Sequence, residues 1–205
     1  MRRIDFWFSI GSTYTYLTVM RLREVEQQSG VTFSWCPFSV RELMQEMDNI
    51  PFVGKPAKEK YMWRDIERRA GRLHVPISLP VEYPLQNFDL ANRIAIVAGN
   101  EGWCPEYVQT TYRLWFQHGL AAGGDRNLEQ SLEELGQAHN RVLDLANSPP
   151  IEAAYRDATA QARSLGIFGS PSFVVDDKEL FWGDDRLEDA IDWAQSTLAD
   201  NQPDR

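Results

Sequence analysis

The chain predicts an α/β, thioredoxin-like fold with an inserted all-helical domain, because its elements run β-α-β, then a long helical block, then β-β-α. Three features carry that order. A short aromatic run from Ile4 to Phe8 hands over at Gly11 to a helix-periodic stretch. Apolar spacing then stays near 3.6 residues from about Ser39 to Leu165, and from Ser172 the pattern returns to two strands around Asp176-Asp177. The expected division is a discontinuous thioredoxin-like domain over residues 1–38 and 166–205, with the helical insert over 39–165.

Ile4, Phe6, Trp7 and Phe8 read as a buried strand. Ser12 opens a helix running to Gln28, with Tyr16, Val19 and Met20 on one side, Arg21, Glu24 and Gln28 on another, and Gly30 closing it. Val31 to Cys36 is a second strand stopped by Pro37, and a β-α-β start favours a parallel pair with a right-handed crossover. In the insert, Met62, Ile66, Ala70 and Leu73 share a face, as do Leu90, Ile94 and Val97, then Val108, Tyr112 and Trp115 behind a Pro105 suited to a first helical turn. Leu128, Leu132 and Leu135 continue the spacing, and Ala154, Ala158, Ala162 and Leu165 mark a closing helix after Pro149-Pro150. Prolines 76, 80 and 84 mark one extended connection. Beyond Gly166, Ser172 to Val175 and Glu179 to Trp182 form a hairpin, and Gly183-Asp184-Asp185 caps a last helix with Leu187, Ile191, Ala194 and Leu198 on one face.

Composition removes several function classes. Against 21 Lys and Arg stand 30 Asp and Glu, and the formal charge of −9 is the wrong global field for a nucleic-acid partner. The 2 cysteines, Cys36 and Cys104, are far apart and form no C-x-x-C, so there is no dithiol motif, Cys-rich zinc site or disulfide framework, although one disulfide between them stays open. His74, His118 and His139 are scattered, no metal site is expected, and no phosphate- or dinucleotide-binding glycine pattern occurs. No apolar run approaches the ~20 residues of a membrane span. Arg2 and Arg3 ahead of Ile4 imitate a secretion signal, but Asp5 interrupts the apolar stretch and no small-x-small cleavage site follows, so the chain is expected to be cytoplasmic. At 205 residues it should bury roughly 70% of its unfolded surface, enough for a sizeable core.

The chemistry is left to the two ends of the thioredoxin-like frame. Ser12 lies where the first strand passes to the first helix, a place where free N–H groups and the positive end of the helix dipole favour an anion. Its hydroxyl either donates to a bound thiolate there or only caps the helix. Ser170-Pro171, directly before a β-rich run, suits either an ordinary trans proline or a cis bond that turns the Ser170 main chain outward toward a peptide-like ligand. Between Lys55 and Arg72 there are seven basic and three acidic residues; from Asp176 onward there are ten acidic and three basic. A ligand with both carboxylate and ammonium groups suits such surfaces, and so do solvated faces with pairs such as Asp65 with Arg69.

Asp5-Phe6-Trp7-Phe8 followed by Ser12-Thr13-Tyr14-Thr15-Tyr16-Leu17 resembles the start of the 2-hydroxychromene-2-carboxylate isomerases and the related kappa-class glutathione transferases. Further matches, in family order, are Asn49 in Asp-Asn-x-Pro, Lys58 with Tyr61-Met62, the run to His74-Val75-Pro76-Ile77, Phe168-Gly169-Ser170-Pro171, and Gly183-Asp184-Asp185-Arg186-Leu187. The resemblance implies glutathione as cofactor. Ser12 is then the catalytic residue at its sulfur, in the place of the first cysteine of disulfide oxidoreductases. Ser170 and a cis Pro171 pair with the cysteinyl part, Asp184, Asp185 and Arg186 hold the γ-glutamyl end, and Asn49 and Lys58 face the remaining polar groups. It also implies a small aromatic hydroxy or oxo acid as substrate, reversible thiolate addition as the mechanism, and a homodimer. A kappa-like glutathione transferase and a non-catalytic thioredoxin-like binding module are the alternatives. Thr13 stands where the family usually has proline, a residue favoured in a first helical turn but not required there. Trp35, Trp63, Trp103 and Trp115 are candidates to line an apolar substrate pocket.

Overall fold

A computed structural model describes residues 3–50, 52 and 54–199, with the backbone alone at 197–199. Pro51, the side chain of Leu198, and Asp200, Asp204 and Arg205 of the acidic tail therefore lie outside the described residues. The chain runs β1 (Arg3–Phe8), α1 (Thr15–Ser29), β2 (Thr32–Pro37), seven helices, β3 (Ser172–Val175), β4 (Glu179–Trp182), a 3₁₀ turn (Asp184–Arg186) and α9 (Leu187–Ala199). Its strands form one sheet in the order β2-β1-β3-β4, with β1 and β2 parallel and the other pairs antiparallel. The order along the chain, β-α-β, a helical block, then β-β-α, is the one the sequence predicts for a thioredoxin-like fold, with seven helices between β2 and β3.

Alternation along β1 divides its residues between two apolar clusters. Ile4, Phe6 and Phe8 join α1, α9 and most of the insert, whereas Trp7 joins Phe38, Leu43, Ala162 and Val174 in a smaller one. Phe6 sits opposite Phe173 on β3 and Trp35 on β2, with ring centroids 5.5 and 5.0 Å away. The larger cluster is continuous from sheet to insert, for it includes Tyr16 and Leu17 together with Ile94, Tyr112 and Trp115. At the hairpin, Asp176 and Asp177 take φ of 52° and 58° and Lys178 N–H bonds to the Val175 carbonyl, the twist that joins two antiparallel strands tightly.

The insert comprises α2 (Val40–Glu46), α3 (Pro56–Arg72), α4 (Phe88–Glu101), α5 (Cys104–His118), α6 (Asp125–Glu134), α7 (His139–Ala146) and α8 (Pro149–Ser164). The predicted faces of α3, α4 and α5 are buried at Met62, Ile66, Ala70, Ile94, Val97, Val108, Tyr112 and Trp115. Two readings change. The short α7 had no separate signal, and on α8 the buried row is Ile151, Tyr155, Thr159 and Ala162, one position on from the alanine row at 154 and 158. Cys36 and Cys104 are both free thiols, so the open question of a disulfide is answered in the negative.

Candidate active site

The turn between β1 and α1 is shaped by the insert. Gly11 has φ 124°, and a Cβ there would lie 3.3 Å from Phe88 Cβ, so the backbone runs hard against the start of α4. Ile10 is held from α4 in both directions: its N–H donates to Asn92 Oδ1 at 2.8 Å and its carbonyl accepts from Asn92 Nδ2 at 3.0 Å. From α5, the buried Tyr112 hydroxyl reaches the carbonyls of Ser9 and Ser12, each 3.0 Å away. Two inserted helices thus fix the backbone that presents Ser12.

Ser12 does not cap the helix. α1 begins at Thr15 behind Tyr14, which has helical dihedrals and no side-chain cap bond. Instead Ser12 Oγ donates to the Ser170 carbonyl at 2.6 Å. Around it, the Ser170 hydroxyl accepts from Ser9 N–H at 2.9 Å and shares a bond with Thr15 Oγ1 at 2.9 Å. The Ser170–Pro171 bond is cis. Thr13, at the family's proline position, is buried and bonds through Oγ1 to Met62 Sδ at 3.1 Å, so it ties the turn to α3.

Ser12, Ser170 and Lys58 line one cavity of about 500 Å³, within the usual range for small-molecule sites. Its aromatic wall is Tyr14, Phe52, Tyr61, Tyr83, Phe88 and Trp182, with none of the four tryptophans named from the sequence among the lining residues. That expectation is corrected. Trp115, on α5, is fully buried, and Trp63 packs against the wall, edge-on to Tyr83 at 5.6 Å. Tyr14 OH donates to Asp65 at 3.0 Å, and burial with that carboxylate raises its pKa. Burial first, then Glu59, push the Tyr83 phenol up to about 12 against the opposing pull of Arg41, leaving it a protonated donor at neutral pH.

The remaining sequence candidates are placed unevenly. Asn49 is exposed after α2 and does not line the cavity, although its neighbour Ile50 does. Asp185 and Arg186 are exposed at the 3₁₀ turn just beyond Trp182 and pair with each other at 3.6 Å. Asp184 turns the other way. It is buried, accepts from Thr18 Oγ1 at 3.0 Å, pairs with Arg21 at 3.4 Å and pairs through its other oxygen with Arg69 at 2.5 Å. A carboxylate so engaged holds the turn in place, which corrects its assignment to a ligand's γ-glutamyl end. Arg69 is thereby removed from the basic stretch, and Arg64 and Arg68 pair with Glu67 and Asp65 along α3. Sequence reasoning missed Arg41, Phe52, Tyr83 and Phe88, which arrive from loops and helix starts where no periodicity points to a cavity.

Neither free thiol lines the cavity: burial pushes Cys36 up to about 12 and raises Cys104 further still. Among the described residues there is no cluster able to hold a metal ion, and no helix is long and apolar enough to cross a membrane. The profile of the DSBA-like thioredoxin domain family matches residues 3–192. The 2-hydroxychromene-2-carboxylate isomerase of Sphingobium xenophagum is 27% identical over 201 residues, 97% of this chain and 99% of that protein. Glutathione S-transferase kappa 1 of Caenorhabditis elegans is 34% identical over 79 residues, 38% of this chain and 35% of that protein. A selenomethionine 2-hydroxychromene-2-carboxylate isomerase structure superposes with a TM-score of 0.84 at 24% identity, covering 98% of this chain and 100% of that one, which shows the shared fold.

Proposed function

The chain belongs to the DSBA-like thioredoxin domain family, and from that premise we propose that it is a glutathione-dependent isomerase of an aromatic hydroxy or oxo acid. Isomerase relatives that align along almost the whole chain support the enzyme class. One observation carries the cofactor. The Ser12 hydroxyl and the Ser170 carbonyl satisfy each other at 2.6 Å, and a ligand that brings both an anionic acceptor and a peptide N–H exchanges that one bond for two. A cysteinyl residue within a peptide, as in glutathione, brings both. The donor set therefore fits the group.

In this reading Ser12 turns its hydroxyl to the ligand sulfur, and the released Ser170 carbonyl accepts the peptide N–H. Thiols have an unperturbed pKa of about 8.5, so a hydroxyl donor near the start of α1 raises the thiolate fraction at neutral pH. Bound there, glutathione supplies a nucleophile whose reversible addition to a conjugated carbon permits rotation about the single bond so formed. Lys58 on the cavity wall meets a carboxylate of the cofactor, and Asp185 and Arg186 meet its γ-glutamyl end. The aromatic wall takes the substrate ring and excludes water from it.

Product analysis with isotopically labelled glutathione tests the proposal. An isomerised acid is expected with all label recovered as free glutathione. A stable thioether instead makes the chain a conjugating transferase, the reading that the matched stretch of the kappa enzyme favours. Failure to bind glutathione at millimolar concentration in calorimetry leaves only a binding module of thioredoxin-like fold.

A further inference from the structure

Three charged side chains line the cavity, Arg41, Lys58 and Glu59, and the cofactor site as proposed leaves Arg41 without a role. Arg41 stands in the first turn of α2, exposed, with its guanidinium carbon 3.9 Å from the centre of the Phe88 ring. One of its N–H groups reaches the Leu85 carbonyl at 3.2 Å. Ring and carbonyl hold the fork in place, neither carries a negative charge to neutralise it, and most of its five donors stay available. Arg21, Arg69, Arg113, Arg141 and Arg163 each pair with a carboxylate; Arg41 forms no ion pair among the described residues. It also borders an outer groove of about 410 Å³, where Glu42 already pairs with Arg163 at 2.8 Å and Asp89 accepts from Tyr155 at 2.9 Å.

Phe88 and Leu85, the two groups that hold Arg41, line the same cavity as Ser12. Lys58 comes from a different element, α3, near the Phe52 ring at 6.0 Å. The cavity thus offers two cations on separate elements, each beside an aromatic ring of its wall. We infer that Arg41 is the specificity-determining residue of the substrate site and binds the carboxylate of an aromatic acid whose ring lies against Phe88 and Tyr83. A planar fork matches a carboxylate bidentately, which a point charge such as Lys58 does not.

The inference rests on the isomerase reading for its substrate class, and the test keeps the two apart. The full chain is titrated calorimetrically with trans-cinnamate and with its neutral isostere trans-cinnamamide, each with and without glutathione. Wild type is expected to prefer the acid by about ten- to a hundredfold. Arg41→Met should abolish that preference by weakening the acid alone, with amide binding as the control for an intact cavity. Arg41→Lys should keep part of it, and Lys58→Met should weaken glutathione while leaving the acid preferred. A preference that persists in Arg41→Met, that vanishes in Lys58→Met instead, or that is absent from wild type overturns the inference. Absence of glutathione binding in the same titrations overturns the isomerase reading and leaves the acid–amide comparison standing.

Discussion

A single hydroxyl carries most of the chemistry assigned to Ser12, and its removal is a clean test because α1 does not depend on it for a cap. Ser12→Ala is expected to lower turnover by about ten- to a thousandfold, the usual worth of one donor aimed at developing charge. Circular dichroism should be unchanged, and unchanged turnover would return Ser12 to a structural role. The two cysteines should behave oppositely to active-site thiols. With Cys36 pushed up to about 12 and Cys104 more strongly raised, neither is expected to react with iodoacetamide in the native chain at about pH 8, and both should react after unfolding. Rapid native alkylation would contradict the burial that sets those values. At this scale Ser12 and Ser170 were legible because strand-to-helix and proline-to-strand junctions announce themselves in sequence. The four tryptophans misled, since an aromatic side chain gives no sign of whether it faces a core or a cavity.

The 3₁₀ turn before α9 is pinned by Asp184, whose partners come from α1 and α3, the elements that carry Ser12's turn and Lys58. Asp184→Ala leaves Arg69 without its carboxylate, while Arg21 loses one of two partners and keeps Glu188. Because both arginines keep some solvent contact, a loss of about 3 kcal/mol is expected, at the lower end for a broken buried pair. Urea denaturation measures it; a change below about 0.5 kcal/mol would mean that solvent already compensates the arginines. Most elements were readable from spacing with Gly30, Pro105 and Pro149 as punctuation. The exceptions have physical causes. α7 is two turns long, too short for a period to stand out, and α8 buries Tyr155 and Thr159 because both side chains find hydrogen-bond partners, Asp89 and the Tyr155 carbonyl, that alanine spacing cannot foretell.

Across the whole molecule, buried acidic groups that keep their protons make stability fall at high pH. Burial pushes both Cys36 and Tyr83 from their ordinary ranges up to about 12, so the unfolded chain loses protons that the folded chain retains. Their contribution is therefore complete below about pH 9 and is lost as the pH rises toward 12. A urea midpoint at about pH 10.5 is expected below that at about pH 8, and equal midpoints would show these groups to be hydrated. The order of strands has a further consequence, for synthesis rather than for stability. Ile4 finds its antiparallel partner only at Val175. At translation rates of roughly 5–20 residues per second, the aromatic β1 waits on the order of ten to thirty seconds with that edge open. Parallel pairing with β2 covers only its other side, so a nascent chain stalled inside the insert exposes Phe6 and Trp7 on an unpaired edge, the kind of strand that chaperones bind and that otherwise aggregates.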